Sequence, residues 1–180
     1  MTVNIGDKAP DFDLPTYSAT HLSLKNLRGK NVVLYFYPKD MTPGCTTEAK
    51  DFRDLADAFA KANTVIVGAS RDSSARHDKF KAKHELNFDL LSDEDGKLCQ
   101  AYGVWQLKKF MGREFMGIVR TTFLIDSLGV IREIWPKVKV RAHAEAVLEA
   151  AKALYNCRAI PPRFAMPPVQ CSATQTRGEK

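Results

Sequence analysis

The sequence predicts an α/β layer sandwich built on a mixed sheet, and three observations carry that reading. Two short, nearly continuous apolar runs, Asn31-Val-Val-Leu-Tyr-Phe-Tyr37 and Thr64-Val-Ile-Val-Gly-Ala69, have the composition of strands buried on both faces. Between them Phe52, Leu55, Ala56, Phe59 and Ala62 recur at the i, i+3, i+4, i+7 spacing of an amphipathic helix. Strand, helix and strand make a βαβ unit, with parallel pairing and a right-handed crossover. Later, Arg120-Thr-Thr-Phe-Leu-Ile-Asp126 and Val130-Ile-Arg-Glu-Ile-Trp135 flank Ser127-Leu-Gly129, a hairpin signal that adds antiparallel strands.

The remaining elements follow in chain order. Asp72-Ser-Ser caps a polar helix running to about residue 84, and Phe88-Asp-Leu-Leu91 reads as a short strand. A short helix through Leu98, Cys99 and Tyr102 comes next. Ala144, Val147, Leu148, Ala151, Leu154 and Tyr155 form the apolar face of a last helix. Past Cys157 the character changes: Pro161, Pro162, Pro167 and Pro168 interrupt the chain, and Gln170 to Lys180 is polar. Residues 1–157 are therefore read as the domain and 158–180 as a Pro-rich, polar, flexible C-terminal tail.

Bulk composition narrows the functional classes. At 180 residues, 44% hydrophobic and 27% charged, the chain has the material for one globular core. No run approaches the ~20 apolar residues of a membrane span. The N-terminus lacks the basic-then-apolar pattern of a secretory signal. A cytoplasmic protein is the expectation, with an organelle left open. The net charge of +6 raises the possibility of a nucleic-acid partner. Half of it, however, falls on residues 156–180, where Arg158, Arg163, Arg177 and Lys180 face a single Glu179. The body's basic residues are scattered apart from Lys137, Lys139 and Arg141, so no specific nucleic-acid binding is expected.

Four cysteines (45, 99, 157 and 171) are too few for a secreted disulfide scaffold, and no Cys-x-x-Cys pair occurs. The histidines at 21, 77, 84 and 143 have no Cys or His at zinc-site spacing, so no metal is expected. His77 and His84, among Lys79, Lys81 and Lys83, read as surface residues.

Chemistry concentrates in Pro38-Lys-Asp-Met-Thr-Pro-Gly-Cys-Thr-Thr-Glu48. The segment leaves the C-terminal end of a buried strand and opens a helix, where α/β sheets tend to place their sites. Thr42 suits the N-cap and Pro43 the first helical position, which puts Cys45 in the first turn. Unpaired backbone N–H groups and the positive end of the helix dipole there favour thiolate over thiol. Gly44 lets the backbone approach a ligand. A small buried cysteine ahead of a helix is the plain alternative. The hydroxyl of Thr42, three residues before the sulfur, is either a cap or a hydrogen-bond donor to it, and the two roles are compatible.

Tyr35-Phe-Tyr-Pro-Lys-Asp-Met-Thr-Pro-Gly-Cys-Thr-Thr-Glu48 resembles the active-site segment of peroxiredoxins, and is most similar to the bacterioferritin comigratory protein (PrxQ) subfamily. Further matches lie at Gly6-Asp-Lys-Ala-Pro-Asp-Phe12, Leu90-Leu-Ser-Asp-Glu-Asp-Gly96, Tyr102-Gly-Val-Trp105, Phe110-Met-Gly112 and Arg120-Thr-Thr-Phe-Leu-Ile-Asp126, spanning roughly residues 4–155. The resemblance implies a thioredoxin-like fold, a central mixed sheet flanked by helices. It also implies reduction of hydrogen peroxide and organic hydroperoxides through a sulfenic acid on Cys45, without a cofactor. Thr42 would hydrogen-bond the sulfur and the peroxide, Arg120 would stabilise the thiolate and the charge growing on the O–O bond, and Glu48 would orient Arg120. Pro38 would shield the pocket. Trp105, Phe110, Met111 and Phe115 are candidates for an apolar pocket mouth, although core packing is the better reading for most of them.

One departure stands out. Many PrxQ proteins carry a resolving cysteine five residues after the first, and Lys50 occupies that position here. Candidates for resolution are then an external thiol, Cys171 in the tail, Cys157 near the end of the last helix, or Cys99. Expected partners are a hydroperoxide and thioredoxin, glutaredoxin or a small thiol; a monomer or weak homodimer is expected. A peroxide sensor or redox relay on the same fold is the alternative to an antioxidant enzyme.

Overall fold

The computed structural model of the protein describes residues 3–16 and 20–158, with the backbone alone at Phe110 and Arg158. Strands β1 (Asp13–Pro15) and β2 (His21–Ser23) form a small antiparallel ladder, followed by a 3₁₀ turn at Leu24–Leu27. The core elements are β3 (Asn31–Phe36), α1 (Pro43–Asp54), α2 (Ala56–Lys61), β4 (Thr64–Ser70), α3 (Ser74–His84), β5 (Asp89–Ser92) and α4 (Lys97–Ala101). A hairpin, β6 (Trp105–Phe110) and β7 (Arg113–Ile118), precedes β8 (Thr121–Ile125), β9 (Ile131–Trp135) and α5 (His143–Arg158).

The central sheet runs in the order β5-β4-β3-β8-β9. β3 pairs parallel with β4 and antiparallel with β8, so the mixed sheet expected from the sequence is present. All six residues of β3 are buried, and its alternation feeds two cores. Val32, Leu34 and Phe36 point to one face with Phe123, Ile125, Leu98 and Cys99. Val33, Tyr35 and Tyr37 point to the other with Cys45, Phe52, Phe59, Phe80 and Val147, under α1, α2, α3 and α5. Four helices thus cover one face of the sheet, while α4, the 3₁₀ turn and the β1–β2 ladder cover the other. Gly68 lets the Tyr35 ring lie across β4, since an added Cβ there would meet the ring at 2.9 Å and Leu90 at 2.7 Å.

Two registers position the site. Phe36 lies opposite Thr121 in the antiparallel β3–β8 ladder. Arg120, one residue before β8, is therefore delivered to the end of β3 from which α1 departs. The helix expected across 52–62 is broken at Leu55 into α1 and α2. Unlike the core strands, the β6–β7 hairpin was not foreseen. Met111 and Phe115, expected mostly to pack in the core, lie on it and are exposed, while Trp105 is half-buried beneath the Arg71 guanidinium. A two-stranded ribbon has no second layer to cover both of its faces, which is why these apolar side chains reach solvent. The tail beyond residue 158, with Cys171, lies outside the described residues. Among the described residues no helix is long and apolar enough to cross a membrane.

Candidate active site

The chain enters α1 through a left-handed residue, Met41, with φ of +64°. Thr42 is extended at the N-cap position and Pro43 opens the helix, as the sequence predicts. The Thr42 hydroxyl neither caps the helix nor donates to the Cys45 sulfur, the two roles expected of it; its proton goes to the carbonyl of Lys39 at 3.0 Å. Thr46 N–H returns to the Thr42 carbonyl at 2.9 Å and closes the first turn. Gly44 and Cys45 belong to that turn, whose amides have no acceptor within the helix. The buried stripe of α1 is Cys45, Glu48, Ala49 and Phe52, the i, i+3, i+4, i+7 set. A carboxylate thus occupies a core position one turn after the cysteine.

Arg120 closes the site. Its Nη2 donates to Cys45 Sγ at 3.2 Å, and its Nη1 donates to Glu48 Oε2. The cysteine and the glutamate are each 1% exposed. Burial pushes the Glu48 carboxyl up to about 7, against the opposing pull of Arg120. Burial also works against the charge on Arg120, but Glu48 and Cys45 outweigh it and hold the guanidinium above its ordinary value. One permanently charged fork therefore touches the sulfur with one nitrogen and is steadied through the other. Negative charge on Sγ has a direct partner, while the other carboxyl oxygen of Glu48, Oε1, is buried without a hydrogen bond among the described residues.

Cys45, Glu48 and Arg120 are brought together, with Gly44 alongside: a Cβ added to Gly44 would lie 3.5 Å from Arg120 Nη2. Thr42 lies at the same helix end. Pro38 is exposed just past β3. Two other cysteines lie elsewhere. Cys99 is fully buried in the core on the opposite face of the sheet, and burial pushes its thiol up, with Asp93 adding to the effect. Cys157 is exposed near the end of α5. The other end of that helix faces the site: His143 bonds Thr122 at 2.8 Å, and its ring is lowered to about 4 by burial and then by Arg120. Cys157, fourteen residues further along, is roughly 21 Å away at 1.5 Å per residue.

The reading of His77 as a surface residue is corrected: it is fully buried. Its ring is drawn inward by Asp40, whose Oδ2 lies 2.7 Å from Nδ1. Lys79 and Lys83 face solvent, whereas Lys81, four residues on from His77, is half-buried and pairs with Asp89 at 3.2 Å. Phe80, three residues on, shares His77's buried face, and that spacing was the available signal.

A single cysteine at a helix start, held by an arginine at the end of this mixed sheet, is equipped for the chemistry of a thiol-dependent peroxidase. The AhpC/TSA family model matches residues 5–134, and the chain belongs to that family. It is 53% identical over 152 residues to peroxiredoxin Bcp of Bacillus subtilis, covering 84% of this chain and 97% of that one. A putative peroxiredoxin bcp of Coxiella burnetii is 52% identical over 148 residues, covering 82% and 98%. Among solved structures, a PrxQ mutant of Xylella fastidiosa superposes with a TM-score of 0.81 at 40% identity, covering 86% and 98%. The bacterioferritin comigratory protein of Xanthomonas campestris, studied for its alkyl peroxide reduction activity, gives 0.77 at 45%, covering 80% and 92%.

Proposed function

We propose that the protein reduces hydrogen peroxide and organic hydroperoxides as an antioxidant enzyme, with Cys45 as nucleophile. The observation that carries the reading is the Arg120 Nη2 contact to Cys45 Sγ, 3.2 Å long and buried at a helix start. The thiolate attacks the distal oxygen of ROOH, an S–O bond forms and the O–O bond breaks. Cys45 is left as the sulfenic acid, and the departing RO⁻ takes up a proton from solvent to give ROH. Charge moves from sulfur to the departing oxygen, and the Arg120 fork lies beside both. Thr42 gives its hydroxyl proton to Lys39, so its oxygen offers lone pairs to the peroxide O–H. Gly44 leaves the flank of Nη2 open, Glu48 steadies Nη1, and Pro38 is assigned to screening the approach.

Two thiols complete the cycle. The first condenses with the sulfenic acid to a mixed disulfide and water; the second releases the Cys45 thiol and the oxidised reductant. The positions of Cys99, behind the sheet, and Cys157, at the far end of α5, favour an external thiol, with Cys171 as the second candidate. Thioredoxin, glutaredoxin or a small thiol fits that role in a cytoplasmic monomer or weak homodimer with the tail 158–180 appended to the domain. The Xanthomonas relative's alkyl peroxide reduction, at 45% identity, supports the organic hydroperoxides. A sensor or relay on the same fold would use the same oxidation of Cys45, and no specific observation favours it.

The test is peroxide consumption by the full chain under excess dithiothreitol. Cys45→Ser is expected to abolish it, and activity surviving that change refutes the reading. After one equivalent of peroxide, a lone sulfenic acid on Cys45 is expected. A bridge to Cys171 would move resolution to the tail.

A further inference from the structure

The loop between β3 and α1 carries an acid where an exposed turn has little use for one. Lys39 and Met41 face solvent, but Asp40 between them is fully buried. Four bonds hold it. The Tyr37 hydroxyl donates to Oδ1 at 2.7 Å, and His77 Nδ1 lies 2.7 Å from Oδ2. The Asp40 amide donates to Asp72 Oδ2 at 2.7 Å, and Arg76 Nη2 donates to its carbonyl at 3.2 Å. The other nitrogen of His77, Nε2, faces the Leu91 carbonyl at 3.1 Å. A carbonyl accepts only, so Nε2 carries a proton; at 2.7 Å the carboxylate and Nδ1 need a proton between them. The pair thus shares one buried proton, linking the loop to α3 and, through Leu91, to β5.

The peroxide chemistry assigned above does not use this pair. Neither residue touches Cys45. Yet Asp40 precedes the left-handed Met41 and the N-cap residue Thr42, so its anchorage sets where the chain turns into α1. With Asp40 tied down, the Thr42 oxygen and the first-turn amides are held at one place relative to Sγ. We infer that Asp40 and His77 are positioning residues: their buried pair latches the 38–42 loop in the geometry the peroxide reaction needs. The inference rests on the peroxidase reading and names part of the apparatus that serves it. Misplacing reacting groups by a fraction of an ångström to an ångström is enough to slow such a step greatly.

The experiment uses the full chain with His77→Gln, Asp40→Asn and Tyr37→Phe. Three quantities are read: the rate of Cys45 oxidation by hydrogen peroxide in a single turnover, the rate at which dithiothreitol reduces the oxidised protein, and amide exchange in residues 38–44 against β3 and β4. For His77→Gln and Asp40→Asn the expected result is oxidation at least tenfold slower, loop exchange at least tenfold faster, core-strand exchange unchanged and reduction not slowed. Tyr37→Phe removes one bond to Asp40 and keeps the pair, so a roughly threefold loss is expected; it carries the test if the other two variants fail to fold. Oxidation within twofold of wild type in all folded variants overturns the inference. So does a parallel loss of oxidation and reduction with faster core exchange, which marks general loosening. Failure of the peroxidase reading shows separately, as wild-type protein that consumes no peroxide, while loop exchange still reports on the latch.

Discussion

Glu48→Gln sets stability against rate at one atom. The side chain keeps its shape and an oxygen for Arg120 Nη1, but loses the ability to ionise. In the folded protein burial raises the Glu48 carboxyl from 4.5 to about 7. An acid whose folded value lies above its unfolded value binds its proton more firmly when folded. Its stabilising effect is therefore full below pH 4.5 and is lost as pH rises through 7. Over the window from pH 4.5 to 8, at 1.36 kcal/mol per unit, the loss from this one group comes to about 3 kcal/mol. Gln has no such slope. The quantity to measure is the stability of the variant relative to wild type at pH 8 minus the same difference at pH 4.5, from urea unfolding. Effects of packing that do not depend on pH cancel in that double difference. It should favour the variant by about 3 kcal/mol. The rate should move the other way. Arg120 exchanges a charge-assisted anchor for a neutral one, a change of roughly 1–2 kcal/mol, so Cys45 oxidation should slow about five- to thirtyfold. A double difference under about 1 kcal/mol, or of opposite sign, refutes the account of Glu48 as a buried carboxylate held ionised at a cost. An unchanged oxidation rate refutes its role in holding Arg120.

Other expectations follow from single distances and positions. Lys50→Cys restores a thiol five residues after Cys45 on α1, where the 1.5 Å rise sets the Cα atoms roughly 8 Å apart, beyond the ~7 Å a disulfide spans. Peroxide should therefore bridge Cys45 to the introduced thiol only with loss of helical circular dichroism; a bridge with full helicity contradicts the geometry. Gly68→Ala places a methyl 2.7 Å from Leu90 and 2.9 Å from the Tyr35 ring, both buried. It should cost about 1–3 kcal/mol, read as a lower urea midpoint. His143 is lowered from 6.5 to about 4, so its contribution to stability is full above pH 6.5 and is lost as pH falls through 4. His143→Gln should flatten that acid limb by about 2 kcal/mol in unfolding free energies compared at pH 4.5 and 7.

Much of this was legible in the chain. The buried strands β3 and β4 and the β8–β9 hairpin declare themselves by continuous apolar composition and turn residues, signals that lie within a few positions of each other. Cys45 is legible for the same reason: Thr42, Pro43 and Gly44 mark a helix start locally. Glu48 also leaves a trace, as the one charged residue in the Cys45, Ala49, Phe52 stripe. The β6–β7 ribbon escaped because its apolar residues are spread over both faces, which gives no clean alternation. His77 escaped because Lys79, Lys81 and Lys83 dominate its surroundings in sequence, whereas its partner, Asp40, lies thirty-seven residues away.

The sequence alone settles that a helix-start cysteine follows a buried strand, since propensity, capping and apolar periodicity act over a turn or two of chain. It also places Lys50 five residues after Cys45, where the resemblance to PrxQ proteins led one to expect a second thiol. Which groups meet that sulfur is a matter of register. Phe36 opposite Thr121 in an antiparallel ladder brings Arg120 across seventy-five residues to Cys45 and Glu48. The sheet likewise removes Cys99 to its other face, and the length of α5 removes Cys157 to its far end. No local pattern encodes those distances, because they arise only when strands pair and two cores close on opposite sides of one sheet.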